Sequence, residues 1–425
     1  MRAYLEGADQ ALAAFEVSGP TMQGPTIAGI PVDFILFGLT LLGVAVFHHH
    51  TLRVALIGLA VITAYKLLFT AFNGAPGLAG LAVHLAHEWV VLVNLFGLLV
   101  GFTLLSDHFE RSHIPGLLPA LLPDDWRGPV VLLILVFVMS TFLDNIAAAI
   151  IGGTIAMSVF QGKVHLAYLA AIVAASNAGG AGSVVGDTTT TMMWIQGVSP
   201  LEVLPAFLSA AVALAVFAIP ASLKQQRFSP IVCDPPVNLH LDWARVTVVC
   251  IILGLVIATN VVVNMNFPDR AEHFPFLGVA AWVAILATAL WRAPNWKLVK
   301  PAATGSLFLL SLVLCASMMP IDSLPQQSWK TTLGLGFVSS VFDNIPLTKL
   351  ALEQGGYDWG ALAYAVGFGG SMVWFGSSAG IAISTQFPYA KSVINWVRQS
   401  WFIPLGYVAG FAAYMAIFGW QPGSG

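Results

Sequence analysis

Apolar runs of about 20 residues recur along this chain, and a helical run of that length matches the hydrocarbon thickness of a bilayer. Of its 425 residues, 58% are hydrophobic and only 9% are charged. So few charged residues could not cover the surface of a soluble core of this size. We therefore expect an all-α polytopic membrane protein with about 11 transmembrane helices.

A polar interruption divides one of these apolar segments, which extends from about His165 to Ile195. Residues 176–191 contain four glycines, the carboxylate of Asp187 and a run of threonines. Backbone groups that are freed at membrane depth must be satisfied by protein or by a water-filled cavity. The segment therefore predicts a broken helix that lines a site, with Asp187 as its ionisable group. The alternative is a glycine-rich helix–helix contact in which Asp187 is only a buried hydrogen-bonding group.

Two other apolar segments carry an Asp-Asn pair near the middle, namely Asp144-Asn145 and Asp343-Asn344. The arms on either side of the first pair have about 13 to 18 residues, which is short for a full crossing. This pattern predicts a re-entrant hairpin whose tip reaches membrane depth. The alternative is that each aspartate only caps the outgoing helix through its free N–H groups. The two roles can coexist.

The order of a hairpin followed by a broken helix occurs twice in the sequence. At a constant offset of 190 residues, the glycines of the first broken helix correspond to those of the second: Gly179, Gly180 and Gly186 to Gly369, Gly370 and Gly376. The two Asp-Asn pairs correspond at an offset of 199. We expect five crossings between the hairpins, and an odd number places the second hairpin on the opposite face of the membrane. The repeats are therefore expected to have inverted topology.

Basic residues predict the orientation of the chain. With the N-terminus outside, twelve of them fall on the opposite side of the membrane: Arg53, Arg111, Arg127, Lys163, Lys224, Arg227, Arg245, Arg292, Lys297, Lys300, Lys391 and Arg398. Only Arg2, Arg270 and Lys330 fall on the same side as the N-terminus. Such an excess marks the cytoplasmic side. We therefore expect a multi-pass protein of a bacterial-type inner membrane, with both termini extracytoplasmic.

Two lysines, Lys66 and Lys349, lie within expected membrane segments. Lys349 either pairs with Glu353 one helical turn later or offsets the charge of Asp343. The third crossing is expected to begin at Glu88, with the preceding histidines as polar anchors at the membrane surface.

Inverted repeats with broken helices place a transporter's ion site near the membrane midplane. The candidate proton or cation switches are Asp144, Asp187 and Asp343. The other candidate binding residues are Asn145, Ser176, Asn177, Gly179, Gly180, Gly186, Thr188, Thr189, Asn344, Gly369, Gly370, Gly376, Ser377 and Ser378. Hard oxygen ligands suit sodium, lithium or protons better than soft metals. The candidate sodium ligands are Asp144, Asn145, Asp187, Asp343 and Asn344.

Crowded carboxylates cannot all be ionised cheaply, so we expect at least one of these aspartates to exchange a proton near neutral pH. The two repeats differ at one informative position, because Asp187 corresponds to Ser377 at the offset of 190. Asp187 is therefore the leading candidate for the switch.

Several of these motifs resemble the ion transporter superfamily, and the closest match is its NhaD-type sodium/proton antiporter branch. The motifs are Asn177-Ala178-Gly179-Gly180, Gly186-Asp187-Thr188-Thr189-Thr190-Thr191-Met192-Met193-Trp194, both Asp-Asn tips and Gly376-Ser377-Ser378-Ala379-Gly380. The resemblance covers most of the chain from about residue 30 onwards. It implies secondary active antiport of sodium or lithium against protons by alternating access, and a homodimer. One departure is the run of four threonines after Asp187, where the antiporters have Val-Thr-Thr-Thr.

Relatives of the same architecture export arsenite or take up dicarboxylates or citrate with sodium, and an anion transporter of this kind is the alternative. The dicarboxylate branch carries Ser-Asn-Thr at its hairpin tips, whereas this chain carries Asp-Asn. The added negative charge disfavours a dianionic substrate.

The layout implied by the repeat and the resemblance has six parts. They are an extracytoplasmic segment (1–29), scaffold helices (30–125), a first transport core (126–223), a cytoplasmic connector (224–242), second scaffold helices (243–320) and a second transport core (321–425). The expected partners are the lipid bilayer and a small inorganic ion.

Other functional classes fit the sequence less well. The net charge of −3 gives no reason to expect a nucleic acid partner. An intramembrane protease would need two aspartates in different motifs, whereas Asp144 and Asp343 repeat one motif. We therefore expect no enzymatic activity and no bound cofactor. A channel is the remaining rival, because glycine-rich broken helices also line pores.

The predicted orientation can be tested by cysteine labelling after the three native cysteines are replaced by serine. Ser199→Cys should react with a membrane-impermeant maleimide in intact cells, and Gln226→Cys should react only in everted vesicles, because the basic loops face the cytoplasm. The reverse labelling pattern would overturn the orientation.

Overall fold

The computed structural model describes residues 24–47, 50–72, 75–232, 240–271 and 273–423. Most of these residues lie in α-helices, the structure in which an apolar segment satisfies its own backbone hydrogen bonds. Most of the expected N-terminal segment 1–29 and part of the expected connector 224–242 lie outside the described residues.

The N-terminal part contains helices α1 (Val32–Val46), α2 (Thr51–Phe69), α3 (Gly77–Glu110) and α4 (Ile114–Leu117). A short 3-10 helix, Leu118–Leu121, follows. Two antiparallel pairs of two-residue strands flank the first helices: β1 (Thr26–Ile27) with β2 (Ile30–Pro31), and β3 (Ala71–Phe72) with β4 (Ala75–Pro76).

The first core region contains α5 (Arg127–Met139), α6 (Asn145–Val159), α7 (Leu166–Gly180), α8 (Thr188–Ile195), α9 (Pro200–Val203) and α10 (Ala206–Phe228). Helices α5 and α6 are joined by residues 140–144, and we call this unit the first hairpin. Helices α7 and α8 are separated by residues 181–187, and we call this unit the first broken helix. Both helix breaks occur at the polar residues that the sequence identifies, and the re-entrant course of the first hairpin stays a prediction.

The second half begins with α11 (Trp243–Asn266), α12 (Pro268–Ala271), α13 (Phe276–Ala289) and α14 (Val299–Ser317). The second hairpin follows as α15 (Trp329–Ser339) and α16 (Asn344–Gln354), and the second broken helix as α17 (Trp359–Gly369) and α18 (Ser378–Gln386). The last helices are α19 (Val393–Gln399) and α20 (Phe402–Ile417). Short 3-10 turns lie at Trp296–Leu298, Ile321–Ser323, Gly370–Met372 and Pro388–Ala390.

Among the described residues, five helical segments are long and apolar enough to cross a membrane: Thr51–Phe69, Gly77–Glu110, Pro200–Phe228, Trp243–Val263 and Trp296–Ser317. Helices α19 and α20 form a sixth candidate that is bent by 60°. Both hairpins and both broken helices consist of shorter helices. The expected number of full crossings therefore stays a prediction.

The hairpins and broken helices interlock across the two halves. The first arm of each hairpin packs against the first part of the broken helix in its own half, α5 on α7 and α15 on α17. The second part of each broken helix packs instead against the second arm of the hairpin in the other half: α8 against α16, and α18 against α6. We call these eight helices the core, and we call α1, α2, α3, α11, α13 and α14 the scaffold. The exchange brings the starts of α6, α8, α16 and α18 together.

Equivalent glycines allow each broken helix to approach its hairpin closely. A Cβ atom on Gly179 would collide with the main-chain oxygen of Phe137, and a Cβ atom on Gly369 would collide with that of Gly336. The two glycines are related by the offset of 190 residues, and their partners by the offset of 199. The repeat in the sequence is therefore also a repeated helix–helix contact.

This close approach predicts the effect of one added methyl group. Gly179→Ala should destabilise the purified protein by about 1–3 kcal/mol, the usual cost of overpacking a tight contact. Thermal unfolding in detergent would measure the change. Gly334→Ala is the matched control, because a Cβ atom on that helical glycine meets nothing within 4 Å. Equal melting temperatures for the two variants would contradict the role of Gly179.

Candidate functional site

Four helix N-termini meet in the core, and each begins at a polar residue. The N-cap residues of α6, α8, α16 and α18 are Asp144, Asp187, Asp343 and Ser377. Asp343 accepts a hydrogen bond from the Ile345 amide at 3.1 Å, and Ser377 accepts one from the Gly380 amide at 3.2 Å. The side chains of Asp144 and Asp187 make no capping hydrogen bond. A capping hydrogen bond is therefore present at Asp343 and Ser377, and the alternative of a purely capping role for the aspartates stays a prediction.

Asp187 lies at the centre of this arrangement and is only 2% exposed. Its Oδ1 atom accepts a hydrogen bond from Asn145 Nδ2 at 2.9 Å and a longer one from Asn344 Nδ2 at 3.5 Å. Each hairpin therefore directs its tip asparagine at the same carboxylate oxygen. The Oδ2 atom is buried and has no hydrogen-bond partner among the described residues.

A second set of amide contacts joins the two broken helices. Asn177 is fully buried and accepts a hydrogen bond from Asn145 Nδ2 at 3.2 Å. Its own amide donates to the hydroxyls of Ser371 at 2.9 Å and Ser377 at 3.0 Å. Asn344 donates to Thr189 Oγ1 at 2.7 Å. Side chains from both halves thus form one continuous polar network around Asp187.

The threonine run satisfies the main-chain oxygens of the first helix break. Thr190 Oγ1 donates to the carbonyl oxygens of Ser183 and Asp187, and Thr191 Oγ1 donates to those of Val184 and Asp187. A buried carbonyl oxygen without a partner is costly. These hydroxyls therefore allow the chain to leave the helix between α7 and α8.

A cavity of about 200 Å³ opens beside Asp187. Its polar wall belongs to the core and includes Asp144, Asn145, Asp187, Thr188, Asn344 and Ser378. The opposite wall belongs to scaffold helices α3 and α14 and includes Leu98, Phe102, Thr103, Ser306 and Leu309. The cavity thus lies at the boundary between core and scaffold.

The predicted site residues fall into five groups. Six of them line the polar wall of the cavity, and Asn177, Thr189 and Ser377 reach it through hydrogen bonds. Asp343 lies one residue from the cavity wall, where it accepts a 3.4 Å hydrogen bond from Ser378. Ser176 donates to Val173 of its own helix and stays outside the network. The six glycines pack at the two helix breaks: Gly179, Gly180, Gly186, Gly369, Gly370 and Gly376.

Residues that sequence reasoning missed include Ser371, the scaffold wall of the cavity and Gly367. The offset of 190 relates Asn177 to Gly367 and Asp187 to Ser377. The contact from Asn177 to Ser377 thus has a counterpart between Gly367 and Asp187, where a Cβ atom would lie 3.3 Å from Asp187 Oδ2. Glycine has no side-chain amide, so Asp187 Oδ2 lacks the donor that Ser377 receives from Asn177. The repeat offset was the signal that could have identified Gly367.

Both lysines within the expected membrane segments pair with carboxylates. Lys66 Nζ lies 3.4 Å from Asp33 Oδ1. Lys349 Nζ lies 2.9 Å from Glu88 Oε2 and 2.5 Å from Glu353 Oε1. The predicted pairing with Glu353 is present, and Glu88 is a further partner that the sequence did not indicate. Neither lysine is free to bind a substrate anion.

Comparison with known proteins gives several related antiporters. "Sodium/proton antiporter 1" of Arabidopsis thaliana is 28% identical over 322 residues, which are 66% of this chain and 54% of that protein. The Na(+)/H(+) antiporter NhaD of Halomonas elongata is 26% identical, with 67% of this chain and 66% of that protein covered. The NhaD of Vibrio cholerae is 25% identical, with 67% and 69% covered.

This chain is similar in sequence to the NhaD-type sodium/proton antiporters. Its long apolar helices indicate a multi-pass membrane protein. The match spans about half the length of the first Arabidopsis thaliana protein, 54%. No protein-family model matches the chain. The YdaH transporter of Alcanivorax borkumensis aligns in structure over 81% of this chain and 88% of that chain, at 15% identity and a TM-score of 0.41.

Proposed function

We propose that this NhaD relative is a secondary active transporter that exchanges sodium or lithium for protons by alternating access. The observation that carries the proposal is Asp187, whose Oδ1 atom is held by two amides while the buried Oδ2 atom has no donor among the described residues. A carboxylate oxygen in that state is a ligand for a cation or a site for a proton. The names of the related antiporters support the same pair of ions.

The charge balance of the site supports a monovalent cation. Each helix N-terminus carries roughly half a positive charge, so the four N-termini supply about two positive charges. Three ionised aspartates supply three negative charges, which leaves a surplus of about one. A single sodium ion or proton neutralises that surplus. A dianion would add to it.

Proton and cation compete for the same carboxylates in this mechanism. Asp187 is the proposed switch, and Asp144 is the second carboxylate of the cavity. The hydroxyls and amides of Asn145, Asn344 and Thr188 complete a set of hard oxygen ligands of the kind that sodium takes. Bound protons weaken the apparent affinity for the cation, and the bound cation weakens that for protons. Asp343 accepts a hydrogen bond from Ser378, and its negative charge contributes to the electrostatic potential of the site.

The finer topology belongs to the same proposal. The two hairpins enter the membrane from opposite faces, as the inverted repeat and the exchanged packing of α8 and α18 suggest. The first hairpin enters from the cytoplasm, and about 11 helices cross the membrane with both termini extracytoplasmic. The protein would act as a homodimer in an inner membrane, with parts 126–223 and 321–425 as transport core.

The alternative of an anion transporter is less well supported. Positive side chains favour a dicarboxylate dianion, but no basic residue occurs among the described residues that line the cavity. The nearby lysine, Lys349, is already paired with two carboxylates. The protein is not an enzyme, because its relatives are antiporters.

The proposal predicts the effect of removing one titratable group. In everted vesicles energised by respiration, addition of sodium or lithium should dissipate the pH gradient, and the apparent cation affinity should rise as the pH rises because protons compete less. Asp187→Asn should abolish this exchange, since it keeps the shape of the side chain and removes its charge. Fluorescence of a pH-gradient dye would measure both effects.

Asp358→Asn is the control for a buried carboxylate of the core that lies outside the cavity wall. This variant should retain exchange, and gel filtration should show that both variants are folded. Retained exchange in Asp187→Asn would refute its role as the switch. If neither ion moves protons while arsenite or succinate is transported, the cation proposal is wrong.

The close approach of Gly367 to Asp187 Oδ2 gives a second prediction. Gly367→Ala places a methyl group 3.3 Å from this oxygen and should crowd a bound ion. We expect the apparent sodium affinity to fall about tenfold, a usual effect of one methyl group in a close-fitting pocket. Lithium is smaller and should be affected less. Gly254→Ala, where a Cβ atom has no neighbour within 4 Å, is the matched control. Unchanged affinities in Gly367→Ala would place the cation elsewhere.

A further inference from the structure

A second cluster of charged side chains is buried outside the cavity. Lys349 and Glu88 are each only 1% exposed. The lysine ammonium lies 3.0 Å from Glu88 Oε1 and 2.9 Å from Glu88 Oε2, so it contacts both carboxylate oxygens. Ions buried this completely are held in place by each other, because water is not available to replace a lost partner.

The two carboxylates around Lys349 belong to different parts of the structure. Glu353 lies one turn later on the same helix, α16, and therefore moves together with the lysine. Glu88 lies on scaffold helix α3, 261 residues away in sequence. The contact with Glu88 thus connects the core to the scaffold, whereas the contact with Glu353 stays within one helix.

The two helices that carry Glu88 and Lys349 also contribute residues to the cavity or to the network around it. Helix α16 begins at Asn344, which donates to Asp187 and Thr189. Helix α3 continues from Glu88 to Phe102 and Thr103 in the scaffold wall. A displacement of α16 relative to α3 would therefore change the distance between the two walls.

The scaffold end of the pair is itself anchored. His84 lies one turn before Glu88 on α3, and its Nε2 atom makes a 2.9 Å hydrogen bond with Ser317 Oγ at the end of α14. Helix α14 packs against both α3 and α16. Helix α3 is thus anchored to another scaffold helix one turn from Glu88, and the ion pair acts across the boundary between scaffold and core.

Separation of the ion pair would affect its two residues differently. Lys349 would keep Glu353 as a partner after α16 moved away from α3. Glu88 would remain as a buried carboxylate without its cation, and loss of one partner from a buried pair is strongly destabilising. The pair therefore favours the arrangement of core and scaffold described here.

We propose that Glu88 and Lys349 are positioning residues that hold the second hairpin against the scaffold in one conformation of the transport cycle. Their contact opens when the core moves relative to the scaffold. The inference rests on the proposed function only in one respect, namely that alternating access requires such a movement. Glu353 keeps the lysine paired during the movement.

Distances between spin labels test the proposal without measuring transport. Labels at Leu78 on α3 and Lys330 on α15 occupy exposed positions on the scaffold and on the second hairpin. In a background without the native cysteines, Glu88→Gln should raise the population of a second distance relative to the first by about tenfold, a typical size for coupling between two sites. Glu88→Asp should restore most of the original distribution.

Glu353→Gln is the matched control, since it removes a carboxylate from the same ammonium but leaves the contact with the scaffold intact. It should not raise the population of the second distance, because Lys349 would then be left without a carboxylate partner in that conformation. The proposal is wrong if Glu88→Gln has the distribution of the unmodified protein, or if Glu353→Gln raises the population of the second distance as much as Glu88→Gln does. Circular dichroism of each variant would show whether the protein is folded.

Transport measurements add a readout that a merely structural role would not change. Glu88→Gln should alter the apparent sodium affinity about tenfold while exchange persists, because the balance of conformations shifts and the ion ligands stay intact. An unaltered affinity in a protein that exchanges sodium would contradict the proposal. If the unmodified protein exchanges no sodium, the proposed function fails, and the spin-label distances still decide the role of Glu88.

Discussion

Three aspartates occupy helix N-termini in the apolar interior, and the other features of the core depend on this arrangement. An N-terminus stabilises a negative charge, so Asp144, Asp187 and Asp343 can be accommodated where an isolated carboxylate would be too costly. N-termini occur inside the protein only because the helices are broken or turn back. The breaks in turn require glycines for close approach and hydroxyls for the freed carbonyls, which Gly179 and the Thr190–Thr191 pair supply.

Much of the core could be predicted from the sequence because the hairpin tips and helix breaks contain residues that are unusual in a membrane-spanning helix. A helix of lipid-facing residues has no place for Asp-Asn or for Gly-Gly, so the hairpin tips and helix breaks could be located. The second hairpin ends at Gly355 and Gly356, which adopt the positive φ angles that glycine favours. The repeat offsets then identified which hairpin and which broken helix of one half correspond to those of the other. The contacts of Gly179 and Gly369 follow the same offsets.

The remainder could not be predicted because it depends on contacts between distant residues. Glu88 was expected near the membrane surface as the start of a crossing, yet α3 begins at Gly77 and Glu88 is buried. Its charge is balanced by Lys349 of the other half, and nothing near Glu88 in sequence indicates that partner. The scaffold wall of the cavity could not be predicted for a similar reason. Phe102 and Leu309 are apolar, and in the sequence they cannot be distinguished from residues that face lipid.

The positions at which the two repeats differ make the polar contacts of the site converge on one carboxylate, that of Asp187. If the halves were identical, each tip asparagine would contact the N-cap residue of one broken helix. Here Asn145 and Asn344 both reach Asp187. The donor that Asn177 gives to Ser377 also has no counterpart at Gly367. Duplication thus explains the frame of four N-termini, and the replacements at two paired positions explain why Asp187 Oδ2 lacks the donor that its counterpart Ser377 receives.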